Sequence, residues 1–335
     1  MIKGELRCLT LGFCLLIAGM SEAAESTLPR SVLRYGQTLS AVRSIFSLPI
    51  VVAQREGLFR REGLDFRLVV PIPGGADKMI DALHDDTVDI THVATPFLIR
   101  AALAGSDAVA IAAEFNNPIY SLVARPEIKS YSDLKGKLLG LADEAGSITI
   151  STRKLLLRHG LGANDFKFRT IDGTPSRFTC LTKGECIAVP LGQPQDLLAQ
   201  SQGYRLLGSS VEVVPEFVYT VTAVRRSWAA THRDTLMRYV RALSASFAFI
   251  RDPSRRKQVI EAIVQSNGVS AEIAARILTL YFEPERRVLP MRGEIDMKGF
   301  AEVIVFMGEA GLLKAPLPDA ERFVDLQYLR DARRN

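Results

Sequence analysis

The sequence predicts an α/β protein with two lobes, each a mainly parallel β-sheet flanked by helices, with the C-terminal helices on lobe 1. The chain has 335 residues, which exceeds the usual size of a single domain. From residue 32 onward strand-like and helix-like segments alternate, a pattern typical of parallel sheets covered by helices. Extended segments at 115–124 and 215–224 divide the alternating units. We therefore expect lobe 1 to comprise 30–118 and 222–335, and lobe 2 to comprise 119–221.

The first alternating unit begins with a short strand at 32–35 and a helix at 49–59. Gly57 and Gly63 follow apolar periodic runs, at positions where a left-handed residue ends a helix. In the segment 66–70, apolar residues occupy every second position, which predicts a strand with one strongly buried face. The other elements predicted in this unit are a helix that ends at Leu83, strands at 88–93 and 108–113, and a helix at 97–103.

The second unit begins near residue 122 and continues the alternation. After Trp228 the pattern becomes helical, because Leu236, Val240 and Leu243 fall on one helical stripe. The strands predicted in this unit are 138–141, 166–170, 186–189 and 204–207. The helices predicted from here to the C-terminus are one that opens at Gly146-Ser147, one at 175–182, one after Trp228, and three at 255–266, 271–282 and 295–308.

The N-terminus has the composition of an export signal. Lys3 and Arg7 precede or flank an apolar run from Leu9 to Met20, and Ser21-Glu22-Ala23 supplies small residues at the cleavage positions. The run is too short to span a bilayer comfortably as a permanent helix. We therefore expect residues 1–23 to be a signal peptide that is removed after Ala23, which leaves a periplasmic protein. The alternative is a cytoplasmic chain with an apolar N-terminal helix.

Export decides how the cysteines are interpreted. Cys8 and Cys14 leave with the signal peptide, so Cys180 and Cys186 remain in the mature chain. An even number of cysteines in an oxidising compartment favours a disulfide, and Gly184 permits a tight turn between these two. The alternative is a pair of reduced, buried thiols. We expect no metal site, because two cysteines and four scattered histidines do not have the spacing of metal ligands.

Composition and motifs argue against several function classes. The net charge of +5 is modest for this length and the basic residues are dispersed, so we expect no nucleic-acid binding. His84, His92, His159 and His232 are isolated in the sequence, as surface or satisfied core histidines usually are. The sequence contains no hydrolase elbow, phosphate-binding loop or zinc-protease helix motif. Because no nucleophile, base and oxyanion site come together, we expect neither an enzyme nor a cofactor.

A series of short motifs carries a family resemblance. In chain order the series resembles the periplasmic solute-binding proteins of ABC importers, in particular the group that binds nitrate, sulfonates, taurine and thiamine precursors. The resemblance covers residues 32–248. Its motifs are Ala53-Gln54-Arg55-Glu56-Gly57-Leu58-Phe59, Pro73-Gly74-Gly75-Ala76-Asp77, Thr95-Pro96, Asp133-Leu134-Lys135-Gly136-Lys137 and Gly146-Ser147.

The resemblance implies a two-lobed periplasmic-binding-protein fold of type II and the function of a solute receptor. Such a receptor captures a small polar or anionic organic solute by closing its lobes; the classes that fit are sulfonate, nitrate, taurine, pyrimidine and aromatic acid. Its partners are that solute and the transmembrane subunits of an ABC permease, and we expect a monomer. Two alternatives stay open. One is an enzyme of the thiamine-pyrimidine-precursor synthase type, whose cysteine-rich motif is absent here, and the other is the effector domain of a transcription factor or sensor.

Candidate ligand-binding residues follow from the rule that α/β sheets bind ligands beyond the carboxyl ends of their strands. Gly75, Ser147 and Thr149 lie at predicted helix starts, where backbone N–H groups and hydroxyls attract an anion. In the resembled family the position of Thr95 lines the cleft. Asn116 lies at the first crossover, where a polar side chain faces the gap between the lobes.

Arg43 and Arg177 are the candidate counter-charges for an acidic solute. Gln37 and Ser47 belong to the loop after the first strand, which we expect to shape the pocket floor, and Gln193 follows a strand that leaves lobe 2. Each candidate has an ordinary structural alternative: a helix N-cap for the hydroxyls, turn chemistry for the asparagine, and a surface position for the arginines. The aromatic residues that are candidates for stacking on a ring, with core packing as the alternative, are Phe46, Tyr120, Phe217 and Tyr219.

Overall fold

The computed structural model describes the chain from residue 30 to residue 332 with a few short gaps. The described ranges are 30–42, 44–69, 78–117, 119–144, 146–214, 216–282 and 287–332. The predicted signal peptide and the candidate residues Arg43 and Gly75 lie outside these ranges. Within the described ranges, no helix has both the length and the hydropathy that a membrane span requires.

The strands of the described residues form two sheets of five strands each, with the orders β2-β1-β3-β10-β4 and β7-β6-β8-β5-β9. β10 is antiparallel to both of its neighbours in the first sheet, and β5 is antiparallel to both of its neighbours in the second. The other four strands of each sheet share one direction, so the predicted mainly parallel α/β class is confirmed. The strands are β1 (Ser31–Gly36), β2 (Leu64–Val69), β3 (Ile90–Ala94), β4 (Ala108–Phe115), β5 (Ser121–Ala124), β6 (Leu138–Leu141), β7 (Lys167–Thr170), β8 (Ala188–Leu191), β9 (Arg205–Ser209) and β10 (Thr220–Arg225).

We refer to the parts built on the first and second sheets as lobe 1 and lobe 2. Helices cover both, and the C-terminal helices pack on lobe 1, where α10 contacts α2 and α14 and where α13 contacts α5. The helices are α1 (Leu39–Val42), α2 (Leu48–Arg55), α3 (Leu58–Arg61), α4 (Lys78–His84), α5 (Thr95–Leu103), α6 (Ser147–Arg158), α7 (Thr174–Thr182), α8 (Gln195–Ser201), α9 (Arg226–Thr231), α10 (Arg233–Arg251), α11 (Arg256–Asn267), α12 (Ala271–Phe282), α13 (Met297–Glu309) and α14 (Gln327–Ala332).

One helix of lobe 1 differs from the sequence prediction. The helix predicted at 49–59 is divided into α2 and α3, because Gly57 adopts a φ of 66° and ends the first helix before the second begins. The edge strand β4 is buried along its whole length. The C-terminal segment covers it, since the backbone N–H of Asp325 donates to the carbonyl of Ala110 at 2.8 Å.

The two crossovers between the lobes lie side by side. The backbone N–H of Tyr219 donates to the carbonyls of Phe115 (3.0 Å) and Asn116 (2.7 Å). The hydroxyls of Tyr120 and Tyr219, one from each crossover, lie 3.1 Å apart. The lobes are therefore joined by two segments that bond to each other, which is an arrangement that permits rotation about one narrow connection.

Cys180, at the end of α7, forms a disulfide with Cys186, just before β8, and their Cα atoms are 5.4 Å apart. The turn between them contains Gly184 with a φ of 74°, and the N–H of Glu185 donates to the carbonyl of Cys180 at 3.0 Å. The disulfide joins the last turn of a helix to the start of a buried strand.

Candidate functional site

A cavity of about 90 Å³ lies between the two lobes. Its lobe 1 wall includes β3 and the start of β10, and its lobe 2 wall includes the loops that follow β6 and β7. This is the edge of an α/β sheet at which ligands bind. The polar residues that line the cavity, apart from two tyrosines, are Thr38, Ser44, His92 and Thr220 from lobe 1, and Asp143, Ser147, Asp172, Thr174 and Arg177 from lobe 2.

Arg177 on α7 places a guanidinium in the lobe 2 wall, with 1% of the side chain exposed. It donates from Nε to the carbonyl of Pro190 (2.8 Å), from Nη1 to the carbonyl of Ile171 (3.1 Å) and from Nη2 to the hydroxyl of Thr174 (3.0 Å). A guanidinium has five N–H donors, so two are without a partner within the described residues. Burial lowers the pKa of Arg177, and the nearby carboxylates of Asp143 and Asp172 offset this desolvation only in part.

Two buried hydroxyls in the cavity wall have no hydrogen-bond partner among the described residues. They belong to Ser147, the first residue of α6, and to Thr220, the first residue of β10. Their side chains are 1% and 2% exposed. An unpaired buried polar group costs about 1–3 kcal/mol, so such groups usually await a ligand or a water molecule. Because one hydroxyl belongs to each lobe, a single small solute that paired with both would contact both sides of the cavity.

Aromatic side chains form a third part of the wall. Phe46 packs on Tyr120 and Tyr219 with ring centroids 5.6 and 5.2 Å apart, and all three residues line the cavity. Phe46 also contacts Phe115 edge to face at 5.1 Å. Burial raises the pKa of both tyrosines, so their hydroxyls are neutral hydrogen-bonding groups at physiological pH.

The loop between β6 and α6 presents Asp143 to the cavity in a fixed conformation. Thr149 donates its hydroxyl to the carbonyl of Asp143 (2.8 Å) and accepts from the N–H of Asp143 (3.2 Å). The Asp143 carboxylate accepts from the N–H of Gly146. A Cβ atom at Gly146 would lie 2.4 Å from that carboxylate, so a larger residue here would displace the Asp143 side chain. Asp143 and the exposed Asp172 therefore give the lobe 2 wall two carboxylates beside the guanidinium.

The sequence matches one protein family over most of its length. Residues 46–272, more than half of the chain, match the family model described as "NMT1/THI5 like". The chain belongs to the NMT1/THI5-like family. One curated relative of this NMT1/THI5-like protein is "Putative binding protein YtlA" of Bacillus subtilis (strain 168). It is 24% identical over 264 residues, which are 77% of this chain and 78% of the relative.

Solved structures share the fold at low sequence identity. The ligand-binding component of an ABC-type import system from Staphylococcus aureus, with zinc bound, has a TM-score of 0.76 at 14% identity and covers 91% of this chain and 100% of its own. The alkanesulfonate-binding protein SsuA from Xanthomonas axonopodis pv. citri, bound to MOPS, has a TM-score of 0.70 at 17% identity and covers 88% and 98%. The desulfurization enzyme DSZB has the same fold, with a TM-score of 0.63 at 14% identity and coverage of 91% and 99%. The periplasmic-binding-protein fold is thus shown, and it occurs in receptors and in an enzyme.

The structure brings two of the predicted site residues of this NMT1/THI5-like protein, Ser147 and Arg177, to the cavity. Three other candidates use their side chains within the fold. Thr95 donates its hydroxyl to the carbonyl of Val218 at 2.6 Å, and Ser47 donates to the carbonyl of Ser44 at 2.9 Å. Thr149 bonds to the backbone of the β6–α6 loop, as described above, and contributes to the cavity only by fixing that loop.

Gln37 and Gln193 are buried and Asn116 is half-buried, but none of these three amide candidates lines the cavity. Gln193 donates to the carboxylate of Asp196 at 2.8 Å, and its Oε1 has no partner among the described residues. Within the same ranges, neither side-chain polar atom of Gln37 has a partner, and neither does Oδ1 of Asn116. The unpaired atoms of these three side chains make no described contact that assigns them a role in the cavity.

Sequence reasoning did not select His92, Asp143 or Thr220 as ligand residues, although all three line the cavity. The strand-end rule was sufficient to find Asp143, which lies two residues after β6. His92 and Thr220 lie inside or at the start of strands, and no local pattern marks them. Of the aromatic candidates, Phe46, Tyr120 and Tyr219 line the cavity, whereas Phe217 packs on Phe306.

Proposed function

We propose that this protein is the exported solute-binding receptor of an ABC importer, which captures a small organic acid between its lobes and delivers it to a permease. One observation carries the proposal: a buried guanidinium with two N–H donors that no described residue uses shares an interlobe cavity with two buried hydroxyls that have no partner among the described residues. The family and fold support it, because the YtlA relative is named a binding protein and the S. aureus structure is a ligand-binding component of an import system.

The cavity chemistry favours an acidic head group. Arg177 offers its remaining donors, and Ser147 stands at the N-terminus of a twelve-residue helix, where free N–H groups favour an anion. Asp143 and Asp172 disfavour a second negative charge on the solute but accept an amine. We therefore infer a monoanion or a zwitterion, such as a short sulfonate, taurine or a short carboxylate.

The volume limits the size of the solute in this arrangement of the lobes. An apolar cavity of about 150 Å³ accepts benzene. The cavity here measures about 90 Å³, so a solute with an aromatic ring requires the lobes to move apart. Among the classes that the family resemblance implies, nitrate is smaller than benzene and fits without such a movement, whereas ethanesulfonate and taurine have at least as many non-hydrogen atoms as benzene and also require some opening.

Lobe closure explains how binding is signalled to a permease. A solute shifts the lobes toward the closed arrangement only if it binds that arrangement better than the open one. Arg177 and Ser147 come from lobe 2 and Thr220 from lobe 1, so a solute that contacts all three gains its full set of hydrogen bonds only when the lobes are together.

An enzyme of the thiamine-pyrimidine-precursor synthase type has less support. Cys180 and Cys186 are the cysteines of the described chain, and they are bonded to each other, so neither supplies a thiolate nucleophile. No described observation favours this reaction over solute binding.

Native mass spectrometry of the protein purified from the periplasm tests the proposal, followed by calorimetry with matched solutes. The panel contains ethanesulfonate and taurine, propionate and β-alanine, nitrate, and benzoate. We expect at least one member other than benzoate to bind, and ligand binding to raise the melting temperature. Taurine differs from ethanesulfonate, and β-alanine from propionate, by an added amine. The difference in affinity within each pair therefore measures how strongly Asp143 and Asp172 favour an amine. A protein that carries no small solute from the cell and binds no member of the panel would contradict the proposed function.

A further inference from the structure

A buried hydrogen-bond network lies behind the lobe 1 wall of the cavity. At its centre is Glu114 on β4, which has no solvent exposure. Its carboxylate accepts from the hydroxyls of Tyr35 (2.9 and 3.0 Å) and Thr222 (2.7 Å), and it contacts Nδ1 of His92 at 2.7 Å. The hydroxyl of Tyr239 lies 2.8 Å from that of Thr222. Burial raises the pKa of both tyrosines, so they are neutral donors to this network.

The network determines which ring nitrogen of His92 is available to a solute. An ionised carboxylate only accepts hydrogen bonds, so its contact with Nδ1 requires a proton on Nδ1. The other nitrogen, Nε2, has no hydrogen-bond partner within the described residues, and His92 lines the cavity. Nε2 is therefore the atom left for a solute; it accepts a hydrogen bond when the ring is neutral and donates one when the ring is protonated.

The charges on both sides of the ring favour the donor form when an acid is bound. Within the described residues, Glu114 makes no ion pair other than its contact with His92, so a proton on Nε2 provides the counter-charge of a buried carboxylate. The opposite wall of the cavity, in lobe 2, contains the cation Arg177 and the carboxylates Asp143 and Asp172. An acidic group between the ring and the guanidinium contacts a cation from each lobe.

We propose that His92 is the lobe 1 contact of the solute's acidic group, that Glu114 is its positioning residue, and that binding is coupled to the uptake of one proton at Nε2. This inference rests on the proposed function and deepens it. The proton comes from solvent, and no covalent bond to the solute forms or breaks. The bound acid then bridges the imidazolium of lobe 1 and the guanidinium of lobe 2, which favours the closed arrangement.

The chain contains a matched control. His159 and Glu212 form a second histidine–carboxylate pair, with Nε2 3.9 Å from the carboxylate, and both side chains are exposed and lie outside the cavity. H159Q and E212Q therefore remove the same chemical groups as H92Q and E114Q without touching the proposed site.

Calorimetry between pH 6 and 8 measures the coupling with whichever of ethanesulfonate, taurine, propionate, β-alanine or nitrate binds. Two cationic buffers of different ionisation enthalpy count the protons, and sulfonate buffers are left out because they are themselves candidate solutes. We expect parent affinity to fall by up to about tenfold per pH unit as the ring loses its proton, with up to one proton taken up per solute. We expect H92Q to bind the solute at least about tenfold more weakly at pH 6, with an affinity that depends little on pH. We expect E114Q to lose most of the pH dependence of affinity, and H159Q and E212Q to bind like the parent.

Parent affinity that does not change with pH, or an H92Q profile equal to that of the parent, overturns the inference while leaving the proposed function intact. A second measurement needs neither a solute nor a folded E114Q variant. In protein with ¹⁵N-labelled histidine, long-range NMR correlations report which ring nitrogen is protonated, with H92Q assigning the signals. We expect His92 to carry its proton on Nδ1 at pH 8, and a proton on Nε2 alone would overturn the inference even if no panel solute bound.

Discussion

Replacing Arg177 by methionine separates the energetics of binding from those of folding. The guanidinium has two N–H donors that no described residue uses, and a hydrogen bond to a charged group contributes about 1.5–3 kcal/mol. Losing two such bonds to an acidic solute costs about 3–6 kcal/mol, or roughly a hundredfold to ten-thousandfold in affinity. We therefore expect R177M to bind the panel solute too weakly for routine calorimetry.

The effect on folding is expected to be small, because two large contributions oppose each other. R177M leaves the carbonyls of Pro190 and Ile171 and the hydroxyl of Thr174 without a donor, at about 1–3 kcal/mol each. It also removes a buried charge whose desolvation costs several kcal/mol, and such replacements are often neutral or stabilising. We expect the free energy of unfolding to change by less than about 3 kcal/mol in either direction.

Urea denaturation of the solute-free protein, together with calorimetry, checks both expectations. Arg205 supplies the control, because this exposed arginine of lobe 2 also donates from Nε to a backbone carbonyl, that of Pro126, at 3.2 Å. R205M is expected to bind like the parent. R177K, which keeps the charge but not the planar fork, is expected to be intermediate. If R177M binds within about threefold of the parent, Arg177 is not the solute contact and the reasoning fails.

Three further predictions concern single hydroxyls, the cysteines and the N-terminus. Ser147→Ala is expected to weaken solute binding about tenfold with little change in the free energy of unfolding, because its hydroxyl has no described partner. Thr95→Ala is expected to lose about 1 kcal/mol of stability, because its hydroxyl donates to the carbonyl of Val218 in a crossover. Calorimetry and melting curves of both variants test this, and the reverse pattern would contradict the site. Thiol labelling of denatured, non-reduced protein is expected to find no free thiol, and replacing Cys180 and Cys186 by serine to lower the free energy of unfolding by about 2–3 kcal/mol; two labelled thiols would refute the bond. N-terminal sequencing of the exported protein is expected to start near Ala24, and an uncleaved chain in the soluble fraction would count against export.

The fold was predictable because its signals are local. Alternating strand-like and helix-like runs predicted the mainly parallel sheets. The division of the helix at 49–59 was the main local error, although Gly57 was recognised as a helix end. A glycine with positive φ ends one helix, but only packing decides whether the next residues begin another.

Sequence analysis selected residues of the cavity wall only where a residue type occupied an informative local position. Ser147 at a helix start and Arg177 as a counter-charge are such residues, and both line the cavity. Thr95 and Thr149 also lie near helix starts, but their hydroxyls bond to nearby backbone groups, which a one-dimensional pattern does not distinguish from solute binding. His92 on β3 contacts Glu114 on β4, which lies behind its ring. The two residues are 22 positions apart in the sequence, so no local pattern predicts this contact.

The disulfide has a consequence for affinity that depends on the redox state of the compartment. Arg177 lies one turn before Cys180 on the short helix α7, which the bond to Cys186 fastens to the strand that follows. The backbone around Arg177 is thus ordered when the protein folds and the disulfide forms. Solute binding then does not have to offset this loss of conformational entropy. A receptor with reduced thiols would still fold its sheets, but α7 would be held by its packing on β8 and its hydrogen bonds alone, and it would have more backbone freedom to lose at the moment of capture. Oxidation would then act as a maturation step for binding, and an unoxidised receptor would be present but would bind its cargo less tightly.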